Sequence, residues 1–175
     1  TEVVTRLDGV EVEGARVAGR VLPVSFGALR ARIHEVMREV EPAVVVSLGL
    51  WPGEPTIRLE RVALNLADFE IPDNDGALLR DDVVAAAAPT AIASTLPLRA
   101  IERALLRAGI PARLSTTAGT FLCNATMYTF LHTGPAGRGV PCGFVHLPYL
   151  PEQVAALLED VRKEQLLELH QRADL

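Results

Sequence analysis

A single apolar segment constrains the fold of this chain more than any other feature. Residues Ala43 to Leu50 read AVVVSLGL, an almost continuous run rich in β-branched side chains. Runs of this kind are typical of strands in a parallel sheet, where helices cover both faces of the strand. The segment therefore predicts an α/β layer structure, with this strand covered on both of its faces.

Helical and extended patterns alternate along the rest of the chain. Apolar residues recur at helical spacing between Ser25 and Glu41, with Ser25 as the expected N-cap and Pro42 as the stop. The patterns also predict helices over Leu96–Ala108, Phe121–Leu131 and Pro151–Leu169, strands over Ala15–Val24, Ile57–Asn65, Pro111–Thr117 and Cys142–Leu150, and a loop over His132–Gly139. This alternation predicts an α/β fold with a central, mostly parallel sheet.

Composition and charge narrow the class of partner. The chain has 175 residues, of which 49% are hydrophobic, and this is enough for one compact domain with a core. Its net charge of -5 comes without a basic stripe, so we expect no binding to nucleic acid or to an anionic membrane. No apolar stretch approaches the roughly 20 residues that cross a bilayer. Small molecules or peptides are the expected partners.

The cysteine pattern argues against a metal site and a disulfide scaffold. Cys123 and Cys142 belong to neither a CxxC pair nor a Cys/His cluster. The amino end also lacks the basic and then apolar order of a signal peptide, so we expect a reducing compartment, the cytoplasm. A glycine-rich phosphate cradle is missing as well, and we expect no cofactor.

Three reactive side chains lie near the ends of predicted strands, where sheets of this class place their ligands. Cys123 follows Gly119 at the start of a predicted helix, and the unpaired N–H groups there would favour a thiolate. His146 lies in the strand Cys142–Leu150, and Glu60 lies in an otherwise apolar strand. A thiol, an imidazole that moves its proton and a carboxylate that orients the imidazole are the groups that cysteine catalysis requires.

Each of the three residues also has a structural interpretation. A lone cysteine among apolar residues is often part of the core. A histidine in a strand is usually a hydrogen-bonded polar residue, and a glutamate between two arginines is usually a surface ion pair. Spacing alone leaves both interpretations open.

Three segments resemble the signatures of one peptidase family. Residues 110–124, IPARLSTTAGTFLCN, resemble the active-site cysteine signature of the pyrrolidone-carboxylate peptidases, or pyroglutamyl peptidases. Residues 49–52 with 57–65 resemble the glutamate signature of that family, and residues 143–153 resemble its histidine segment. The resemblance reaches from the first residues to about Gln153, and it implies a three-layer α/β/α open sandwich.

The resemblance implies that the chain removes an N-terminal pyroglutamyl residue from peptides through an acyl-enzyme. In this interpretation Cys123 is the nucleophile, His146 is the general base and then the general acid, and Glu60 orients His146. The implied substrate contacts are the side chains of Ile71, Phe121 and Leu122 against the pyroglutamyl ring and the backbone of Leu50 at its lactam N–H. The resemblance further implies a homodimer or a homotetramer.

Several features depart from the family pattern. The resemblance implies one peptidase domain over residues 1–175 that lacks the N-terminal strand, the Phe- and Gly-rich loop and the last helix of the family. Glu70 occupies the position of a family arginine near the thiolate, so we expect Glu70 to raise the pKa of the thiol. Arg58 replaces a serine or threonine, and we expect it to pair with Glu70. Glu54 replaces an arginine, and we expect it in a surface loop.

Two alternatives compete with an active cysteine peptidase. The first is a catalytically weakened homologue that binds pyroglutamyl ends or serves as an oligomer scaffold, because Glu70 would oppose the thiolate. The second is a nucleoside phosphorylase-like enzyme on a related sheet, which the missing phosphate cradle disfavours.

Overall fold

A computed structural model of the chain describes residues 2–133 and 139–173, and within these ranges the side chains of residues 2–132 and 139–163. The helices are α1 (Glu2–Leu7), α2 (Phe26–Val40), α3 (Leu98–Arg107), α4 (Leu122–Thr133) and α5 (Pro151–Ala173). The strands are β1 (Glu11–Val12), β2 (Ala15–Arg16), β3 (Val45–Leu50), β4 (Ile57–Glu60), β5 (Val62–Leu64), β6 (Ala91–Ala93), β7 (Ala112–Ser115) and β8 (Cys142–Leu147).

The central sheet contains four strands in the order β3, β8, β4 and β7. β3 runs parallel to β8 and β4 runs parallel to β7, whereas β4 and β8 are antiparallel. Two antiparallel pairs lie outside this sheet, β1 with β2 and β5 with β6. The predicted α/β class with a mostly parallel central sheet is confirmed, and the antiparallel contact between β4 and β8 is a feature that the sequence did not indicate.

The ends of α2 follow from its sequence. The Oγ atom of Ser25 accepts a hydrogen bond from the backbone N–H of Ala28, so the predicted N-cap is confirmed. At the other end Glu41 adopts a left-handed conformation with φ of 46°, and Pro42 follows it. The helix buries one stripe of side chains, Leu29, Ile33 and Val36.

Two predicted strands are wrong in their extent. Of the predicted strand Ala15–Val24, only Ala15–Arg16 is extended and paired. The chain beyond packs on α1 instead, because the N–H of Gly19 bonds the carboxylate of Asp8 and a Cβ at Gly19 would lie 2.9 Å from the carbonyl oxygen of Val4.

The predicted strand Ile57–Asn65 is divided at Arg61 into β4 and β5. The N–H of Arg61 still bonds the carbonyl of Ser115 at the end of β7, whereas its own carbonyl accepts from Ser94 next to β6. The chain therefore changes its pairing partner at this residue.

The predicted loop His132–Gly139 lies mostly outside the described residues.

The expectation that helices cover both faces of β3 is wrong for the described part of the chain. Val46, Leu48 and Leu50 are 50%, 36% and 41% exposed, and the residues between them are half-buried. The side chains on one face of β3 are exposed because the part of the core under α3 contains residues of β4, β7 and β8 but none of β3. The apolar run thus predicted the strand correctly, but it did not predict which faces of the strand other elements cover.

The core has two parts that meet at β8. The larger part lies between the sheet and helices α2 and α4, and its largest fully buried side chains include Ile33, Phe69, Met127 and Tyr128. The smaller part lies under α3 and contains Leu59, Leu96, Leu98 and Val145. Phe144 belongs to the larger part and Val145 to the smaller, so β8 is buried on both faces.

Within the described ranges, no helix is both long enough and apolar enough to cross a membrane.

Candidate active site

Strands β4 and β8 bring Glu60 and His146 into direct contact. In their antiparallel register Glu60 lies opposite Phe144, and Arg58 lies opposite His146. The Nδ1 atom of His146 is 2.8 Å from Oε1 of Glu60. The two residues are 1% and 0% exposed, so this polar pair has no access to bulk water. The structure therefore joins two of the three residues that the sequence analysis selected.

The contact with Glu60 determines what the imidazole can do. A carboxylate accepts hydrogen bonds, so Nδ1 of a neutral His146 carries the proton and donates it to Oε1 of Glu60. The remaining ring nitrogen, Nε2, then has a free lone pair and can act as a base. A histidine held in this tautomer is suited to accept a proton from a nearby thiol.

Cys123 lies on the same side of the sheet as His146. It is the second residue of α4, after a turn in which Gly119 has a φ of +80°. A Cβ atom built on Gly49 would lie 3.0 Å from Sγ of Cys123, and Gly49 is the register partner of His146 in the neighbouring strand. Because neighbouring strands are about 4.8 Å apart, the thiol lies over the position directly beside His146.

The thiol of Cys123 is not the ready thiolate that the sequence predicted. Burial raises the pKa of Cys123 to about 11, and the negative charge of Glu60 contributes in the same direction. With its pKa raised in this way, the resting side chain is a neutral thiol at pH 7. A nucleophile of this kind has to lose its proton to a base as it reacts. Cys142 is fully buried in β8, and burial raises its pKa to about 12.

The expected influence of Glu70 on the thiol is wrong in its cause. Glu70 is exposed and lies in an irregular segment beyond β5. The groups that raise the pKa of Cys123 are its buried surroundings and Glu60, and Glu70 is not among them. The sequence could not separate these causes, since it indicated that Glu70 replaces an arginine but not where its side chain points.

The expected ion pair between Arg58 and Glu70 is also wrong. Arg58 is only 7% exposed, and its Nε atom donates to Oε1 of Glu60 at 3.1 Å. Its Nη2 atom donates to Oγ of Ser115 at 2.7 Å and to the carbonyl of Thr117 at 2.9 Å. The side chain lies over the sheet between β8 and β7, and no ion pair joins it to Glu70 in the described part of the chain.

Glu54 lies in the loop before β4 as the sequence predicted, but its side chain is mostly buried rather than on the surface. Its side chain is 14% exposed and forms an ion pair of 2.6 Å with Arg113, which lies on β7. Thr56 donates a second hydrogen bond to it, and Arg58 is 3.8 Å away. Hydrogen bonds from Arg113 and then Thr56 lower the pKa of Glu54 to about 2, so this carboxylate stays charged under all ordinary conditions.

Trp51 covers the histidine, and the sequence analysis assigned it no role. Its ring centroid is 4.9 Å from that of His146 in an edge-to-face arrangement. The guanidinium carbon of Arg58 lies 3.7 Å from the centroid of the Trp51 ring. A Cβ at Gly119 would lie 3.6 Å from the same ring. The available signal was that the one tryptophan of the chain directly follows the apolar strand.

Asn124 is a second residue that sequence reasoning missed. It is fully buried, and its Oδ1 atom accepts from the N–H of Leu64 at 2.8 Å. Its Nδ2 atom donates to the carbonyls of Leu64 and Leu66, both at 2.9 Å. The side chain therefore ties the start of α4 to β5, and it holds the neighbouring Cys123 in place.

The four expected substrate contacts are in different environments. Leu122 is 7% exposed and belongs to the core, so its side chain offers little surface to a ligand. The half-buried ring of Phe121 packs edge-to-face on that of Phe69, with centroids 4.6 Å apart. Ile71 is 64% exposed, and Leu50 is 41% exposed at the end of β3.

Among the described residues, no cluster of three or more histidine, cysteine, aspartate or glutamate side chains could hold a metal ion.

Comparison with known proteins identifies the family to which this arrangement belongs. A sequence model described as pyroglutamyl peptidase matches residues 1–164. The chain belongs to the pyroglutamyl peptidase family. Its membership agrees with the buried His146–Glu60 pair and the thiol beside it, which are the groups that the three family-like segments contribute.

Individual members of the family are similar over most of this chain. The pyrrolidone-carboxylate peptidase of Pyrococcus furiosus is 44% identical over 150 residues, which are 85% of this chain and 72% of that protein. The protein of the same name from Cupriavidus pinatubonensis is 46% identical over 156 residues, covering 88% and 72%.

Solved structures of the family share the fold. A crystal structure of the Pyrococcus furiosus pyrrolidone carboxyl peptidase superposes with a TM-score of 0.86 at 40% identity, covering 91% of this chain and 77% of that one. The pyrrolidone carboxyl peptidase of Thermococcus litoralis gives a TM-score of 0.84 at 40% identity, covering 87% and 70%.

Proposed function

We propose that this chain removes N-terminal pyroglutamyl residues from peptides as a cysteine peptidase, with Cys123 as nucleophile, His146 as base and acid, and Glu60 as the group that orients His146. Membership in the pyroglutamyl peptidase family makes the activity that of a pyroglutamyl-peptidase I. The single observation that carries the residue roles is the buried hydrogen bond between His146 and Glu60 on the side of the sheet that holds the thiol.

The first step forms a thioester. Nε2 of His146 takes the proton of the Cys123 thiol while the sulfur attacks the carbonyl carbon that joins the pyroglutamyl ring to the next residue. The proton transfer is needed because the thiol, with a pKa of about 11, is neutral in the resting enzyme. The tetrahedral intermediate then collapses, the carbon–nitrogen bond breaks, and His146 returns the proton to the departing amine.

The second step releases pyroglutamate. His146 takes a proton from a water molecule, whose oxygen attacks the thioester carbon, and the sulfur leaves and regains its proton. Glu60 keeps its negative charge throughout and stabilises the imidazolium that forms in each step. The helix start is a suitable oxyanion site, because the first hydrogen bond within α4 runs from the N–H of Ala125 to the carbonyl of Phe121 and leaves earlier N–H groups available.

The proposed substrate pocket suits an uncharged ring. The pyroglutamyl group is a neutral lactam without a free amine, so its recognition calls for apolar walls and backbone hydrogen bonds. Phe121 and Ile71 offer apolar surface for the ring, Leu122 supports Phe121 from the core, and the backbone of Leu50 lies at the open end of β3. These four contacts are part of the proposal.

The decisive experiment compares three fluorogenic amides that share one leaving group and carry pyroglutamate, proline or glutamine. Under reducing conditions the wild-type chain should cleave only the pyroglutamyl amide, and Cys123→Ser should lose the activity by at least about 10³-fold. Cys142→Ser is the matched control and should keep it, since this second thiol lies in the core. A wild-type chain that binds pyroglutamyl peptides without cleaving them would favour the weakened homologue instead.

We further propose that the chain works in the cytoplasm as a homodimer or a homotetramer. Both of its cysteines are free thiols, as expected in a reducing compartment. Helix α5 exposes a set of large apolar side chains, Val154, Leu157, Leu158 and Val161. Analytical ultracentrifugation of wild type and Leu158→Glu tests the assembly, and a wild-type monomer at micromolar concentration would contradict it.

A further inference from the structure

We propose that Arg58 is a positioning residue for the catalytic histidine, acting through Glu60 and Trp51. This inference rests on the proposed function, because it assigns Arg58 a role in arranging His146 beside Cys123. An arginine side chain stays protonated near neutral pH and does not act as a base there, so Arg58 would act through the groups that it contacts.

Two nitrogens of the Arg58 guanidinium donate hydrogen bonds, and the third, Nη1, lies 3.8 Å from Oε2 of Glu54. Nε donates to Oε1 of Glu60 at 3.1 Å, the same oxygen that His146 approaches at 2.8 Å. Nη2 donates to Ser115 at the end of β7 and to the carbonyl of Thr117 in the segment that leads to the nucleophile. One rigid group therefore joins the carboxylate that orients the base to the chain that carries the thiol.

The charge of Arg58 compensates a carboxylate that has no solvent. Glu60 is fully buried, and within the described residues its second oxygen, Oε2, is a buried atom without a hydrogen-bond partner. An isolated carboxylate in such a place is costly, and a neighbouring cation with good geometry reduces that cost. Arg58 is the cation that directly contacts Glu60.

The guanidinium of Arg58 also packs against Trp51, the aromatic residue that contacts His146. Its guanidinium carbon lies 3.7 Å from the centroid of Trp51, and the indole also meets the ring of His146 edge-to-face, with 4.9 Å between centroids. Stacking of this kind is a property of arginine that lysine reproduces poorly. The imidazole is therefore held from two directions by groups that both rest on Arg58.

Three variants separate positioning from structural support. Arg58→Gln removes the charge, and Arg58→Lys keeps the charge but not the planar fork. Arg113→Gln is the control for the loss of an arginine. Arg113 is the register partner of Arg58 on β7 and shares Glu54 with it, but it is half-exposed and forms no ion pair with Glu60. For each variant we would measure thermal unfolding, kcat and KM for a pyroglutamyl amide, and the rate at which iodoacetamide alkylates Cys123.

The proposal predicts a selective loss. In folded Arg58→Gln, kcat falls on the order of 10²-fold while KM changes by less than about threefold, because misplacing a catalytic group slows the chemical step more than it weakens binding. Alkylation of Cys123 slows about tenfold, since the base is displaced. Arg58→Lys lies between wild type and Arg58→Gln. Arg113→Gln keeps kcat within about twofold of wild type.

Two results would overturn the proposal. The first is a folded Arg58→Gln chain with kcat and alkylation rate within about twofold of wild type. The second, should Arg58→Gln not fold, is an Arg58→Lys chain with wild-type values of both. The alkylation rate requires no substrate, so a wild-type chain that fails to cleave pyroglutamyl amides would refute the proposed function while the role of Arg58 is still measured.

Discussion

Strands β3 and β8 are neighbours with the same length and direction, yet their environments differ. Each has six residues, and the two pair in parallel from Val45 with Cys142 to Leu50 with Leu147. In β8 the first five residues are buried, whereas β3 alternates between half-buried and exposed residues. Both sequences are apolar, so the difference comes from packing, because core residues cover both faces of β8 whereas the core under α3 contains no residue of β3.

The difference separates two contributions to the site. β8 supplies His146, which is withdrawn from water and bound to Glu60. At the matching register position β3 supplies Gly49, whose missing side chain leaves the space that Sγ of Cys123 occupies. The interior strand β8 thus carries the catalytic base, and the outer strand β3 leaves space for the thiol. Substitutions in or beside each strand test this comparison.

The largest effect should come from Glu60, which binds the interior histidine. Glu60→Gln keeps the shape of the side chain but removes the charge that stabilises the imidazolium and selects its tautomer. We expect kcat for a pyroglutamyl amide to fall by about 10³- to 10⁴-fold. Glu54→Gln is the control, and its kcat should stay within about threefold of wild type. A folded Glu60→Gln chain that loses less than about tenfold would remove Glu60 from the proposed mechanism.

The next effect compares two leucines that flank Val145 from opposite sides. Leu59 on β4 and Leu48 on β3 are both register partners of Val145, but they are 1% and 36% exposed. Leu59→Ala should lower the free energy of unfolding by about 2–5 kcal/mol. Leu48→Ala should lower it by less than about 1 kcal/mol. Urea denaturation measures both, and similar losses would mean that β3 is covered in solution.

A smaller effect should follow from filling the space at Gly49. A Cβ there would lie 2.8 Å from Cζ of the buried Phe144 and 3.0 Å from Sγ of Cys123. Gly49→Ala should therefore cost about 1–3 kcal/mol of unfolding free energy, and it should reduce kcat because the thiol is displaced. Gly27→Ala in α2 meets nothing within 4 Å and should be neutral or stabilising. Unchanged kcat in Gly49→Ala would place the reactive sulfur elsewhere.

An effect that is absent at neutral pH should appear at alkaline pH. Burial raises the pKa of Cys142 to about 12, above the value of about 8.5 in an unfolded chain. The unfolded chain therefore releases this proton first, and the free energy of unfolding should decrease above about pH 8.5, by up to about 1.4 kcal/mol per pH unit for this thiol. Urea titrations from pH 7 to pH 10.5 should show a shallower decrease for Cys142→Ala. Parallel curves would contradict the assignment.

The thiol of Cys123 also has a raised pKa, but it should react with alkylating reagents before the thiol of Cys142. Its pKa is raised to about 11, and its side chain is only partly buried. Iodoacetamide should modify Cys123 before Cys142, at a rate that rises with pH as the thiolate forms. Equal rates for the two thiols would argue against access to Cys123.

The sequence predicted most of the helices and strands in their order because their patterns are local, although it did not predict β1 or β6. The N-cap at Ser25 and the stop at Pro42 act within one helical turn, so α2 was found within a residue of its ends. The strand Ala15–Val24 was overextended because the contact between Gly19 and α1 is not local. The division at Arg61 was missed because it depends on a change of partner from β7 to β6.

The three proposed catalytic residues could be chosen from the sequence, but their electrostatics could not. Family-like segments pointed to Cys123, His146 and Glu60 without any knowledge of their surroundings. The helix start led us to expect a lowered thiol pKa, whereas burial, which depends on the whole molecule, raises it. The partners of Arg58 were wrong for the same reason, since a strand side chain meets residues of its neighbouring strands rather than those nearby in sequence.

By itself the sequence determined the α/β class, the approximate elements and the side chains able to do cysteine chemistry, because periodicity, capping and residue type are written into short stretches of chain. Only the tertiary structure decided which strand is interior, that Glu60 and His146 share a dry hydrogen bond, and that Arg58 and Trp51 surround them. The reason is that burial and cross-strand pairing arise from packing between segments distant in sequence, and these set the charge and the reach of each group.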